Sequence, residues 1–217
     1  MANIFEFDAR KGSLINPISG EVGVATDYNF VRREKGIALG DVGQSDRAYV
    51  LYSDIPTLTI GSGKSIELWV KILALGDAAF CCIGNDTYVN YEDNIGIRCN
   101  NSPRVFMVFY NGTVKSVANP NYELMEWNHV VAIYDEANSM MHIYINGVEV
   151  DSEAITAISD FSGYDEISVG SYLNGAYLEG NKEIGRVQIY DKALSAKERA
   201  KLYNEFLIAS PTTRIVE

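Results

Sequence analysis

The strongest periodic signal in the chain runs through residues 127–147. Trp127, His129, Val131 and Ile133 alternate with Asn128, Val130, Ala132 and Tyr134. Residues 135–139, Asp-Glu-Ala-Asn-Ser, break the rhythm with turn formers. The rhythm then resumes, with Met141, Ile143 and Ile145 opposite Met140, His142 and Tyr144. A period of two on both sides of a polar turn predicts a β-hairpin. Asn146-Gly147 follows, a dipeptide that tolerates positive φ and turns the chain again. Both faces are largely apolar, which places these strands centrally in a sheet covered on both sides.

The same reading along the rest of the chain predicts many short strands. They fall at residues 4–7, 30–39, 47–52, 65–73, 95–99, 105–110, 114–117, 166–170 and 183–190, with a short apolar run at 79–83. In 65–73, Ile66, Leu68, Val70 and Ile72 share one face, and Glu67, Trp69 and Lys71 the other. Residues 11–29 are rich in Gly, Ser, Asn and Asp and read as a long loop. Two further polar loops span 84–94 and 171–181, and Asn111-Gly112 reads as a hairpin turn. One helix is predicted, at 195–207. Ser195 and Glu198 form a capping box there, and the pairs Leu202/Phe206 and Tyr203/Leu207 make an apolar stripe. Short strands between regular turn signals predict a β-sandwich or barrel.

Four blocks then narrow the class. Residues 127–150 (WNHVVAIYD…MMHIYINGVEV) resemble the W-x-H…l-Y-v-N-G-v core of laminin-G-like, concanavalin A-like domains. Residues 65–71 (SIELWVK) and 36–39 (GIAL) are similar to two earlier strands of that family. Residues 184–195 (IGRVQIYDKALS) resemble its closing strand and helix start. The resemblance implies an all-β, two-sheet antiparallel jelly-roll sandwich with one short C-terminal helix. The expected organisation is one domain over 1–208 and a tail at 209–217, since no interior linker or repeat is visible.

Composition adjusts this picture in three ways. The chain has 217 residues and is 47% hydrophobic, enough for a sizeable core. Its net charge is −11, which argues against nucleic acid as partner, because phosphate contacts need Lys/Arg patches. The three cysteines, two of them adjacent at Cys81-Cys82, do not make a disulfide framework and read as buried thiols. Pairing of Cys99 with one of them is the alternative. No apolar run is long enough to span a bilayer, and no secretory signal is visible, so synthesis in a cytoplasm is expected. The triplets at Asn85, Asn100 and Asn111 that match a glycosylation acceptor are then read as accidental.

Candidate chemistry is sparse. Residues 61–65, Gly-Ser-Gly-Lys-Ser, invite a phosphate-loop reading, but Leu58 stands where the motif needs Gly, and a strand follows. A plain turn is expected. Related glucanases carry closely spaced carboxylates in a pattern resembling E-x-D-x-E, so that two acids flank one bond. No such triplet is assigned here, since Asp165-Glu166 and Glu92-Asp93 are adjacent and point to opposite faces within a strand. His129 and His142 are the only histidines, and both read as packed or hydrogen-bonded strand residues. Zinc spacing is missing. Calcium is the one cofactor expected, because the family often binds it at the sandwich rim. Asn85, Asp86, Glu92, Asp93 and Asn94 are its candidate ligands, with a solvated loop as the alternative. Many family members carry an acidic residue where this chain has Gly185, which departs from that pattern.

For ligand binding the candidates are Tyr88, Tyr91, Tyr172, Asn174 and Tyr177. Aromatic faces stack on sugar rings, amides bond to hydroxyls, and loops on a rigid scaffold carry function. The alternative is that these tyrosines pack the loops down or form an oligomer contact. The expected function is therefore a non-catalytic binding or structural module recognising a glycan or a protein surface. The first form of that reading is a virion surface protein, part of a phage head or tail, assembled with other virion proteins. It draws on residues 193–206 (ALSAKERAKLYNEF), which are similar to the closing segment of laminin-G-like domains in phage structural proteins. It also draws on a chain that starts at the domain without a signal. A stand-alone bacterial lectin-like protein is the alternative, and a glycoside hydrolase ranks last.

Overall fold

Alternating apolar residues close the chain into two antiparallel sheets face to face. The computed structural model describes residues 3–11, 13–26, 29–33, 36–40, 49–53, 58–73, 78–84, 94–100, 105–110, 113–118, 126–171 and 182–209. Its strands are β1 (Asn3–Asp8), β2 (Val24–Thr26), β3 (Asn29–Arg33), β4 (Gly36–Gly40), β5 (Tyr49–Tyr52) and β6 (Lys64–Ile72). There follow β7 (Ala78–Gly84), β8 (Ile95–Asn100), β9 (Val105–Tyr110), β10 (Thr113–Ala118), β11 (Trp127–Asp135) and β12 (Met140–Ile145). Last come β13 (Val148–Ala154), β14 (Glu166–Val169), β15 (Lys182–Tyr190) and the helix α1 (Ala196–Ala209). One sheet has the order β13-β12-β11-β6-β15-β4-β3, with β1 also on β15; the other has the order β10-β9-β8-β7-β14-β5-β2. This is the jelly-roll sandwich class that the strand pattern and the resemblance imply.

The 127–145 hairpin forms as predicted, with Val130 opposite Ile145 and Asp135 opposite Met140. Ser139 and Asn146 take the positive φ values that its turns require. Val130, Ala132 and Tyr134 point into the main core with Ile66, Leu68 and Val70 of β6. Val131 and Ile133 point the other way, into a second cluster with Tyr190, Leu194 and Leu202 of α1. The sheet is therefore covered on both faces at its centre, as the doubly apolar pattern predicts. Each large aliphatic buried this way contributes roughly 1.5–3 kcal/mol.

Three elements differ from the sequence reading. Residues 30–39 form two paired strands, β3 and β4, not one. Residues 11–29 are not wholly loop, since they contain β2 and an isolated bridge between Ile15 and Val22. Residues 148–154 form β13, a strand with no fully buried position on the outer edge of its sheet. The cysteine reading holds, because Cys81, Cys82 and Cys99 are all buried thiols outside any disulfide. Among the described residues, no helix is long and apolar enough to cross a membrane.

Candidate functional site

The register fixes where the two polar loops are rooted. On the β7–β14 pair, Gly84 sits beside Glu166, while Cys81 sits beside Val169. Gly84 and Asn94, which flank residues 85–93, thus lie at the sandwich end marked by Ile95 and Tyr110. Ser171 and Lys182, which flank residues 172–181, lie at the end marked by Val169 and Ile72. The flanking residues of the two segments therefore lie at opposite ends of the sandwich. Tyr88, Tyr91, Tyr172, Asn174 and Tyr177 lie outside the described residues, as do Asn85, Asp86, Glu92 and Asp93. Asn94, the remaining candidate calcium ligand, is buried at the entry to β8. Among the described residues, no three His, Cys, Asp or Glu side chains converge on a metal position.

At the Gly84 end, a buried cation organises the rim. Lys64 is fully buried. Its ammonium lies 3.3 Å from Glu136 Oε1 and 3.2 Å from Asp191 Oδ1. It also donates to the carbonyls of Thr59 and Gly63 and to Ser62 Oγ, and sits 4.5 Å over the Phe161 ring. Glu136 in turn accepts from the Tyr110 hydroxyl at 2.8 Å and from the Gly61 N–H at 2.6 Å. Burial raises the Asp191 carboxyl, but the Thr59 N–H and Lys64 outweigh it and hold it below its usual value. The Gly-Ser-Gly-Lys-Ser stretch is thus a turn, with φ of 75° at Gly61 and 71° at Gly63. A Cβ at Gly63 would meet the Ala193 nitrogen at 2.9 Å. The lysine faces inward onto two carboxylates, the reverse of a phosphate cradle.

A second buried polar cluster lies between the eight-stranded sheet and α1. Arg186 on β15 donates to Glu67 on β6 through Nη2 at 2.6 Å and Nε at 3.2 Å, and to the Leu202 carbonyl at 3.2 Å. His129 on β11 holds Glu67 Oε1 from the other side at 3.0 Å. Trp69 stacks on Tyr203 of α1 with ring centroids 5.6 Å apart. Burial would raise the Glu67 carboxyl, yet Arg186 and His129 together lower it. These neighbours make His129 a helix-docking residue, in keeping with its expected packed role. The predicted capping box is present, since Ser195 N and Oγ donate to Glu198 Oε2 at 3.0 and 2.8 Å, and Glu198 N donates to Ser195 Oγ at 3.4 Å.

One alternating carboxylate triplet does occur and corrects the sequence reading: Glu149, Asp151 and Glu153 on β13 spell E-V-D-S-E. The strand does not present them together. Register shifts between Ile143 and Tyr144, so Tyr144 opposes Glu149 while Ile143 opposes Asp151. A bulge of this kind cancels the alternation that would align three side chains. Glu149 accepts from the Tyr144 hydroxyl at 2.8 Å and lies 2.8 Å from His142 Nδ1. The His142 contact leads in lowering its carboxyl pKa. Asp151 and Glu153 turn instead to Lys115 of β10, at 3.3 and 3.1 Å, across the gap between the sheets. The literal spacing of Glu149, Asp151 and Glu153 was the available signal; its edge position and bulge were not visible in it.

With this architecture in hand, the family can be stated. The chain belongs to the concanavalin A-like lectin/glucanases superfamily, whose laminin G model matches residues 44–198. No curated protein sequence matches it. Solved structures with the same fold include the botulinum neurotoxin serotype D binding domain, with a TM-score of 0.69 at 14% identity, covering 94% of this chain and 52% of that one. A botulinum neurotoxin type C structure, described as entering cells through two ganglioside molecules, aligns with a TM-score of 0.65 at 18% identity, over 94% and 51%. Trypanosoma rangeli sialidase in complex with sialic acid aligns with a TM-score of 0.67 at 12% identity, over 97% and 34%. The chain spans about half the length of the neurotoxin domains it matches.

Proposed function

We propose that this protein is a non-catalytic, lectin-like binding module that recognises a glycan or a protein surface through the loops at the ends of its sandwich. One observation carries most of the reading: the bulge on β13 parts Glu149 from Asp151 and Glu153, so the E-x-D-x-E carboxylates do not flank one bond. The ion clusters around Lys64 and Glu67 are spent on holding the rim turn and the helix. That leaves the Tyr- and Asn-bearing segments at 85–93 and 172–181 as carriers of recognition. Two proteins that contain this fold are described with ganglioside molecules and with sialic acid, which supports a glycan as the ligand class. Calcium at residues 85–94 remains part of the proposal on the strength of its oxygen donors.

The test is a glycan array that includes sialylated glycans, run with calcium and again with chelator. Binding lost in Tyr172→Ala and Tyr177→Ala but kept in Tyr88→Ala assigns the 172–181 end; the converse assigns the other. Binding that vanishes with chelator and in Asp93→Ala supports the metal. Silence in both buffers rejects the glycan and turns the reading to a protein partner. A virion surface role is the finer form of that second outcome, favoured by the similarity of residues 193–206 to phage structural domains. Co-sedimentation of the protein with phage particles checks it.

A further inference from the structure

The β12–β13 turn asks for backbone conformations that few residues accept. Ile145 opposes Val148, so Asn146-Gly147 is a two-residue loop, with φ of 51° and 84°. Two successive positive φ values select Asn-Gly. The same dipeptide is the one most open to deamidation, because a glycine nitrogen, with no Cβ beside it, reaches the asparagine side chain with little hindrance. In that reaction the Gly147 nitrogen attacks Asn146 Cγ and gives up its proton. The Cγ–Nδ2 bond breaks, and ammonia leaves with that proton. Water then opens the cyclic imide to aspartate or isoaspartate. Gly147 itself is exposed, and a Cβ there would meet no atom of the described residues within 4 Å.

The side chain of Asn146, by contrast, is held. Its Oδ1 accepts from the His129 N–H at 2.9 Å, and its Nδ2 donates to Asn128 Oδ1 at 3.1 Å. Its backbone N–H donates to the His129 carbonyl at 2.8 Å. Asn128 is buried and passes the polarity on, its Nδ2 donating to the Glu126 carbonyl at 3.0 Å. The Asn146 carboxamide is therefore bonded through both its oxygen and its nitrogen to the start of β11. Turning Cγ onto the Gly147 nitrogen breaks both bonds.

This relay also has a direction. Asn146 donates to Asn128, and Asn128 donates to Glu126. Aspartate at 146 has no side-chain N–H to give, so one of its oxygens faces Asn128 Oδ1. Flipping the Asn128 amide only moves the conflict, since its oxygen then faces the Glu126 carbonyl. Isoaspartate adds a carbon to the main chain inside a two-residue loop, between the paired Ile145 and Val148. The arrangement that protects the amide refuses the acid. We propose that Asn146 is a gated modification site. The corner where β11, β12 and β13 meet keeps it as the amide. It deamidates from molecules whose corner has opened, and the product then stops the corner from closing. β13 is an edge strand, so chemical ageing at this one amide loosens it first.

Peptide mapping by mass spectrometry, after incubation of the full chain in mildly alkaline buffer, tests this. In the urea-unfolded chain the Asn-Gly pairs at 111, 146 and 174 set the reference rate. In folded wild type, Asn146 is expected to convert roughly tenfold or more slowly than in urea, the effect of two such hydrogen bonds. Asn128→Ala removes one of them and should speed conversion at Asn146 severalfold, with circular dichroism checking that the variant is folded. Asn146→Asp, which carries the product, should speed amide hydrogen exchange through residues 140–154 and leave β6 and β15 as in wild type. Equal rates at Asn146 in folded and unfolded wild type would overturn the proposal, whether or not Asn128→Ala folds. So would an unchanged rate in folded Asn128→Ala, or wild-type exchange through 140–154 in Asn146→Asp.

Discussion

Arg186 and Glu67 meet as a two-pronged ion pair, 2.6 and 3.2 Å, in a layer sealed between β6, β15 and α1. Neither charge has water to fall back on, so each depends on the other. Removing one partner of such a pair leaves an uncompensated buried charge, a loss of about 3–5 kcal/mol. Glu67→Ala is expected to lower unfolding stability by that order in urea titration. The double change Glu67→Leu/Arg186→Met should cost clearly less, since neither charge is then stranded. Equal losses in the two variants would show that packing, and not charge pairing, dominates there.

The same pair sets an acid limit. Glu67 lies below its ordinary value of 4.5 in the folded protein. A depressed carboxyl stabilises the fold in full above its unfolded value, and the contribution is lost as pH falls through the folded one. Stability should therefore decline with acidification below about pH 4.5. Glu67→Gln should show a shallower decline over that window. Unfolding midpoints measured at stepped pH check this, and parallel curves would remove Glu67 as a cause.

Lys64 makes the rim turn dependent on one buried cation. Lys64→Met removes the ammonium and leaves Glu136 and Asp191 facing each other without it. A loss of about 3–5 kcal/mol is expected by the same reasoning. Limited proteolysis should then cut faster within residues 58–63, and a cleavage pattern like that of wild type would contradict the role.

Ser195 and Glu198 cap the helix reciprocally, and the Lys192 contact leads in lowering the Glu198 carboxyl to about 2. Ser195→Ala is expected to cost roughly 0.5–2 kcal/mol. Because α1 covers Trp69, the change should also alter tryptophan fluorescence before global unfolding. Coincident transitions by fluorescence and far-ultraviolet dichroism would argue against early release of the helix.

No glycoside cleavage is expected from Glu149, Asp151 and Glu153. Reducing-end assays on β-glucans and sialosides should give no product from wild type. Product that disappears in Glu153→Gln would restore an enzymatic reading.

Periodic strands were legible in the residues, and irregular ones were not. β6, β11, β12 and β15 lie in the middle of a sheet, where burial forces a strict pattern, and they were read nearly to their ends. No Gly, Asn or Pro stands between Arg33 and Gly36, so β3 and β4 read as one strand. β13 is an edge strand with mixed polarity, so its Glu149-Asp151-Glu153 series carries no strand signal of its own. The capping box was readable because it is local. The Lys64 cage was not, because Glu136 and Asp191 come from distant turns that only the fold brings together. The tyrosines of 85–93 and 172–181 are candidates by chemistry alone, and chemistry without periodicity gives no position.

Strand β15 has a consequence for how the molecule is made. It sits inside the eight-stranded sheet, flanked by β6 on one side and by β4 and β1 on the other. Phe7 of β1 waits for Val187, far later in the sequence. A ribosome therefore delivers the middle plank of this wall only after β1, β4 and β6, its neighbours, have emerged. Until then β1 and β6 present bare edges to whatever is nearby, and the nascent chain depends on being kept apart from its siblings.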